Sequence, residues 1–256
     1  MIQLHSTIEG NGDALLILHG FLGMGDNWKT LSREFADESY EVHLIDQRNH
    51  GRSPHTDEFN YDLLAEDVAN YMQEKQIEKA AIIGHSMGGK VLMNFMLKYP
   101  EKVTHPIVVD IAPKYYPPHH QQILEGLNHL ASLELSSRSD ADEELKKHIS
   151  HPSIRQFLLK NLYWKEKNKL ALRLNLKSLE ANIEEIGKEL TNVNYEDPVL
   201  FIAGETSDYI TDEDKESIRE MFPKAQIIGI KDAGHWVHAE KKDAFFSTCM
   251  AFLKRV

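Results

Sequence analysis

Gly84-His85-Ser86-Met87-Gly88 sets a hydroxyl between two glycines, after an apolar run at 79–83 and before a helical pattern at 90–98. Strand, Gly-x-Ser-x-Gly, helix is the context in which this pattern carries chemistry, because the sharp turn lifts the serine clear of the sheet. Gly84 and Gly88 are required there since a Cβ at either place would collide with the neighbouring chain. The helix start adds backbone N–H groups and the positive end of a dipole beside the hydroxyl. The plainer role for the same residues is a turn whose serine only caps the helix. A serine hydroxyl is a weak nucleophile at neutral pH, so the chemical role needs a base within reach and an acid to orient it. His235 is the candidate base among fourteen histidines. It follows the last apolar run of the chain, and Gly234 lets its loop fold back over the sheet edge. The order Ser…Asp…His is then kept.

Two aspartates keep that order, and both remain open. Asp110 stands at the end of the apolar run 106–110, whereas Asp208 lies in Gly204-Glu205-Thr206-Ser207-Asp208. An acid in the second loop is expected three residues after the glycine, where this chain has Ser207; Asp208 comes one residue late. Asp110 is favoured because a buried strand fixes a side chain better than a loop does. Stabilising the tetrahedral intermediate takes two N–H donors. Met87, after the serine, supplies one, and Phe21 of His19-Gly20-Phe21-Leu22-Gly23 supplies the other. Each such donor lowers the barrier by roughly 3–4 kcal/mol. His19, Asp46 and Arg48 read as loop-fixing residues. His119-His120 could begin a metal site, but no carboxylate or cysteine accompanies the pair at ligand spacing, so no metal or other cofactor is expected.

These residues must be positioned by elements, and the hydropathy pattern supplies them. Short continuous apolar runs at 14–18, 42–46, 79–83, 106–110, 199–203 and 226–230 read as strands of a sheet covered on both faces. Helical spacing at 27–36, 61–72, 90–98 and 212–222 alternates with them. A last helix sets Phe245, Phe246, Cys249, Met250 and Leu253 on one face. The alternation predicts a mostly parallel α/β sheet with right-handed crossovers. It breaks between 114 and 194, where no convincing strand stands out and helical patterns run at 123–133, 142–149, 154–162 and 170–190. The expected division is therefore a core of 1–113 and 195–256 with a helical cap of 114–194 over the strands' carboxyl ends.

At 256 residues the chain buries roughly 70–75% of its unfolded surface, so it needs neither disulfide nor metal for stability. Its single cysteine fits a reducing compartment. The first residues show no basic and apolar leader pattern. No run of about 18 apolar residues is present, so no membrane span is expected. A net charge of −11 opposes nucleic acid as a partner. A cytoplasmic monomer or homodimer is the expectation.

Three groups of residues resemble the α/β-hydrolase superfamily: His19-Gly20-Phe21-Leu22-Gly23, Gly84-His85-Ser86-Met87-Gly88-Gly89 and Gly234-His235-Trp236. More narrowly, three stretches are similar to the bacterial YbfF esterases and the related mitochondrial ABHD-type hydrolases. They are Asp46-Gln47-Arg48-Asn49-His50-Gly51-Arg52-Ser53-Pro54-His55, Val109-Asp110-Ile111-Ala112-Pro113 and Ala233-Gly234-His235-Trp236-Val237-His238-Ala239-Glu240. The resemblance implies a doubly wound, mostly parallel sheet with a helical cap inserted after the sixth strand. It also implies a serine esterase or thioesterase acting on small acyl esters without metal or cofactor. It maps the triad acid onto Asp110 and a serine of the following loop onto Ser207. Phe21, Met87, Trp236, Tyr115 and Tyr116 are expected to line an apolar slot for a short to medium acyl chain, and Ser207 is a further candidate contact. Cleavage of a carbon–carbon bond, a lyase step of the menaquinone-pathway kind, or non-catalytic binding are the rival functions on such a fold.

Overall fold

The computed structural model describes residues 2–191 and 195–255. The core strands are β1 (Ser6–Glu9), β2 (Asp13–Leu18), β3 (Tyr40–Ile45), β4 (Ala80–His85) and β5 (Val103–Val109). The helices between them are α1 (Lys29–Asp37), α2 (Tyr61–Glu74) and α3 (Met87–Lys98). The insertion carries α4 (Gln121–Ser132), α5 (Arg138–Lys146), α6 (Pro152–Leu159), β6 (Leu162–Glu166), β7 (Lys169–Leu172), α7 (Leu176–Ala181) and α8 (Ile183–Gly187). The alternation resumes with β8 (Val199–Gly204), α9 (Asp212–Met221), β9 (Ala225–Ile230), α10 (Val237–Glu240) and α11 (Lys242–Leu253).

Seven strands form one sheet in the order β1-β3-β2-β4-β5-β8-β9. All neighbours are parallel except β1, which pairs antiparallel with β3 from Ser6↔Ile45 to Glu9↔Val42. The hydropathy pattern gives no sign of β1, whose Ser-Thr-Ile-Glu is short and mostly half-buried. The sheet explains why its other strands read as unbroken apolar runs. Alternate residues face two separate cores: Leu16, Leu18, Ile82 and Val108 pack under α2 and α3. Leu15, Ile17, Ile83 and Val109 pack with Trp28, Phe35 and α11. A strand buried on both faces has no polar side to display. Strand β4 runs at the centre, paired with β2 on one side and β5 on the other.

The insertion leaves the sheet after β5. That is the fifth strand in chain order rather than the sixth, because among the described residues only β1 precedes β2. It is not purely helical: β6 and β7 form an antiparallel hairpin with Leu162↔Leu172 and Trp164↔Leu170. Asn168 sits at the turn with φ 60, a left-handed value asparagine tolerates. The helix expected over 170–190 is therefore a strand followed by two short helices, divided at Asn182. The apolar spacing there fits either period over so few residues, and strand pairing decided it. Residues 192–194, at the expected end of the insertion, lie outside the described residues. Asn161 Nδ2 donates to Leu22 O at 2.8 Å and Asn175 N to Asn49 O at 3.0 Å, so the insertion lies over the loops at the strands' carboxyl ends.

Candidate active site

Strand β4 ends in Ser86, whose φ of 54 and ψ of −118 lie in a region costly for any residue with a side chain. A Cβ on Gly84 would meet the Gly88 carbonyl oxygen, and one on Gly88 the Leu18 carbonyl oxygen, so the turn closes only with glycine at both places. Backbone bonds hold the strain: Ser86 N donates to Val109 O at 2.9 Å and Gly89 N to Ser86 O at 2.8 Å. The hydroxyl makes no capping bond to α3, so the capping role is not taken.

Ser86 Oγ instead lies 3.0 Å from His235 Nε2. His235 Nδ1 lies 2.8 Å from Asp110 Oδ2, and since an ionised carboxylate only accepts, Nδ1 carries the proton and Nε2 is free to accept one. Asp110 is fully buried and itself left-handed, with φ 49. Its other acceptor positions take Gly204 N at 2.9 Å and Ser207 Oγ at 2.5 Å. Three donors thus satisfy a carboxylate that water does not reach, and they lock its orientation. Asp208 is exposed and stands outside this line. Ser207, a candidate substrate contact by sequence, is turned to Asp110. Sequence reasoning missed Tyr209, whose ring stacks on His235 with centroids 3.8 Å apart. No signal in the chain marks a loop tyrosine for such a place. Burial pushes its hydroxyl up to about 12, so it is neutral.

Beneath His235 lies a layer of uncharged histidines. His85 Nε2 donates to the His235 carbonyl oxygen at 2.9 Å, and burial holds its imidazole well below the usual histidine range. His238, pushed down to about 3 by burial, stacks on Trp28 at 3.9 Å. The loop after β2 is pinned similarly. His19 donates from Nδ1 to Gly20 O and accepts Gln47 N at 3.0 Å; burial lowers it to about 4. His50 accepts Leu22 N at 3.2 Å and is lowered to about 3, chiefly by burial. Asp46 accepts Gly25 N at 2.7 Å and Arg52 N at 2.8 Å, and Arg48 grips Asp67 through Nε and Nη2 at 2.6 and 2.8 Å. Asp46 and His50 therefore hold the loop that carries Phe21, while Arg48 ties their own loop to α2. Among the described residues neither the Phe21 nor the Met87 amide N–H meets a protein acceptor, and both residues border the Ser86 slot.

That slot is walled by Phe21, Ile111, Tyr116, His120, Ile183 and Ile186. Tyr116 is one of these walls, whereas two of the other residues expected there lie elsewhere. Tyr115 is 46% exposed and donates to Glu184 Oε2 at 2.9 Å, because successive residues of this extended segment point to opposite sides. Trp236 lies against Phe157 of α6 at 5.8 Å rather than in the slot wall, since the turn into α10 carries it outward. Tyr61, within the helical spacing at 61–72, and His120, weighed as part of a metal pair, are slot residues that sequence did not mark, as are Ile111, Ile183 and Ile186. Among the described residues no three side chains are grouped to hold a metal ion. Among them too, no helix is long and apolar enough to cross a membrane.

A family model described as "alpha/beta hydrolase fold" matches residues 13–242. The "sn-1-specific diacylglycerol lipase ABHD11" of Danio rerio is 35% identical over 98% of this chain and 82% of its own. "Esterase YbfF" of Escherichia coli is 31% identical over 96% of this chain and 94% of its own. A solved "Marine microorganism esterase" superposes with a TM-score of 0.92 at 39% identity, covering 98% of this chain and all of that one.

Proposed function

The chain belongs to the alpha/beta hydrolase fold family, with esterases and lipases among its relatives, and from that premise we propose that it hydrolyses carboxylic esters or acyl thioesters of short to medium chain through an acyl-enzyme intermediate. The observation that carries the reading is the unbroken line from Ser86 Oγ through His235 to Asp110, at 3.0 and 2.8 Å. As substrate binds, Ser86 Oγ attacks the acyl carbonyl carbon while His235 Nε2 takes its proton. Asp110 keeps the imidazole in the accepting tautomer and stabilises the imidazolium that forms. The carbonyl oxygen, now anionic, turns to the N–H groups of Phe21 and Met87. Collapse expels the alcohol or thiol, which takes the proton from His235. Water, deprotonated by His235, then attacks the acyl-serine ester; collapse breaks the bond to Ser86 Oγ, which takes that proton back from His235 as the carboxylic acid leaves. Neutral histidines below the base keep competing positive charge away from it as it becomes an imidazolium.

In this reading residues 114–194 act as a cap, and its Tyr116, Ile183 and Ile186 hold the acyl chain over Ser86. A buried Cys249 fits work in a reducing compartment. The test uses p-nitrophenyl acetate and octanoate, an acyl thioester and a fluorophosphonate probe. Ser86→Ala is expected to lose labelling and at least about 10³-fold in turnover. Near-full hydrolysis by that variant sinks the proposal.

A further inference from the structure

Lys90 is 1% exposed, on the helix that starts at the serine, and the chemistry above does not use it. A buried ammonium needs three acceptors for its three N–H groups, and a carboxylate is the usual one. Here all the acceptors are backbone carbonyls: Lys114 O at 2.9 Å, Gly187 O at 2.9 Å and Lys188 O at 2.5 Å. The first belongs to the segment where the insertion leaves the sheet, and the other two end α8, where it returns. The two ends are also tied directly, Tyr116 N to Gly187 O and Leu190 N to Pro113 O, each at 2.8 Å. A Cβ on Gly187 would run into the Tyr116 carbonyl oxygen, so only glycine allows this approach. Three carbonyl oxygens brought to one point repel each other, and α8 adds its negative dipole end. Lys90, whose amine burial lowers to about 7, supplies the N–H donors that make that convergence favourable.

The same side chain backs the slot. Its Nζ lies 4.8 Å from the centre of the Tyr116 ring and 5.9 Å from that of Tyr61. Both rings wall the slot, and both are tethered through their hydroxyls: Tyr61 to Ile186 O at 2.6 Å, Tyr116 to Tyr209 O at 2.6 Å. We propose that Lys90 is a positioning residue that clamps the two ends of the insertion onto α3, and so fixes the Tyr116–Ile186–Gly187 wall that an acyl chain contacts beyond its first carbons. The inference rests on the serine-esterase reading and deepens it, assigning acyl-chain recognition to a lysine that never touches the reacting atoms. Without the Lys90 N–H groups, the Lys114 and Lys188 carbonyls lose their donor and Gly187 O keeps only Tyr116 N, so these carbonyls turn toward water and the wall moves with them.

Lys90→Met keeps the volume and removes the charge. Its KM for p-nitrophenyl octanoate is expected to rise about fivefold or more, with kcat on that ester changed less than about twofold and a smaller KM rise on the acetate ester. Amide hydrogen exchange at Tyr116 and Leu190 is expected to quicken by about tenfold while the β4 amides keep their protection. Lys90→Gln, which restores one amide donor group, is expected to fall between the two and carries the test if Lys90→Met does not fold. An unchanged or lowered octanoate KM in a folded variant overturns the proposal. So does an equal loss on both esters with slowed fluorophosphonate labelling, since the lysine would then support the serine turn. Failure of the esterase reading is separate: it shows as a wild-type protein whose Ser86 does not label.

Discussion

The rim of the sheet and the insertion above it are built on different physical rules. At the rim, each turn requires one particular residue. Ser86 and Asp110 hold left-handed backbone, Gly84 and Gly88 admit no Cβ, and the buried imidazoles of His19, His50 and His85 each make a defined bond. In the insertion, amphipathic helices face the core with leucines such as Leu127, Leu130 and Leu145, and many leucines would serve. Polar anchors to the core include Asn161, Asn175, Ser178, Ile186 O and the carbonyls gathered by Lys90. A rigid rim can hold a proton path to a fraction of an ångström, while a looser lid can vary the substrate it admits.

Substitutions can break that contrast. The largest effect is expected from Asp110→Asn, which leaves the shape intact but offers His235 the wrong hydrogen-bond partner and lowers kcat about 10⁴-fold; Asp208→Asn should stay within about twofold. The reverse order, read from steady-state kinetics, would move the acid. A paired glycine test compares the regions by stability. Gly88→Ala drives a Cβ into the Leu18 carbonyl and is expected to cost about 3 kcal/mol or prevent folding. Gly126→Ala in α4 meets only the side chains of Leu145 and His148 and should change urea stability by less than about 1 kcal/mol.

Acid sharpens the same comparison. His19, His50 and His238 are lowered by burial to about 4, about 3 and about 3. Between those values and the usual 6.5 the unfolded chain binds protons that the folded chain does not. Stability is therefore lost as pH falls through this window, by about 2 kcal/mol for each histidine at pH 5 relative to pH 7. Urea melts at the two pH values measure it, and His238→Phe should flatten the dependence. The smallest effect is expected from Tyr115→Phe, which loses only an exposed bond to Glu184 and should leave kcat/KM within about twofold; a tenfold loss would return Tyr115 to the slot.

The sequence by itself determined the parts ruled by local constraint. Gly-x-Ser-x-Gly between an apolar run and a helix names its own backbone, because nothing but glycine fits beside so sharp a turn. Strands buried on both faces announce themselves as unbroken apolar runs, and chain order narrowed the base and acid to a few residues. The sequence favoured Asp110 over Asp208, but only the tertiary structure puts a carboxylate on His235 Nδ1 and surrounds it with the Gly204 amide and the Ser207 hydroxyl. It alone stacked Tyr209 on His235, turned Tyr115 to solvent, and made a hairpin of β6 and β7 where helical spacing read equally well. The reason is the same in each case. These placements are fixed by contacts between segments far apart in the chain, and no spacing within one segment records them.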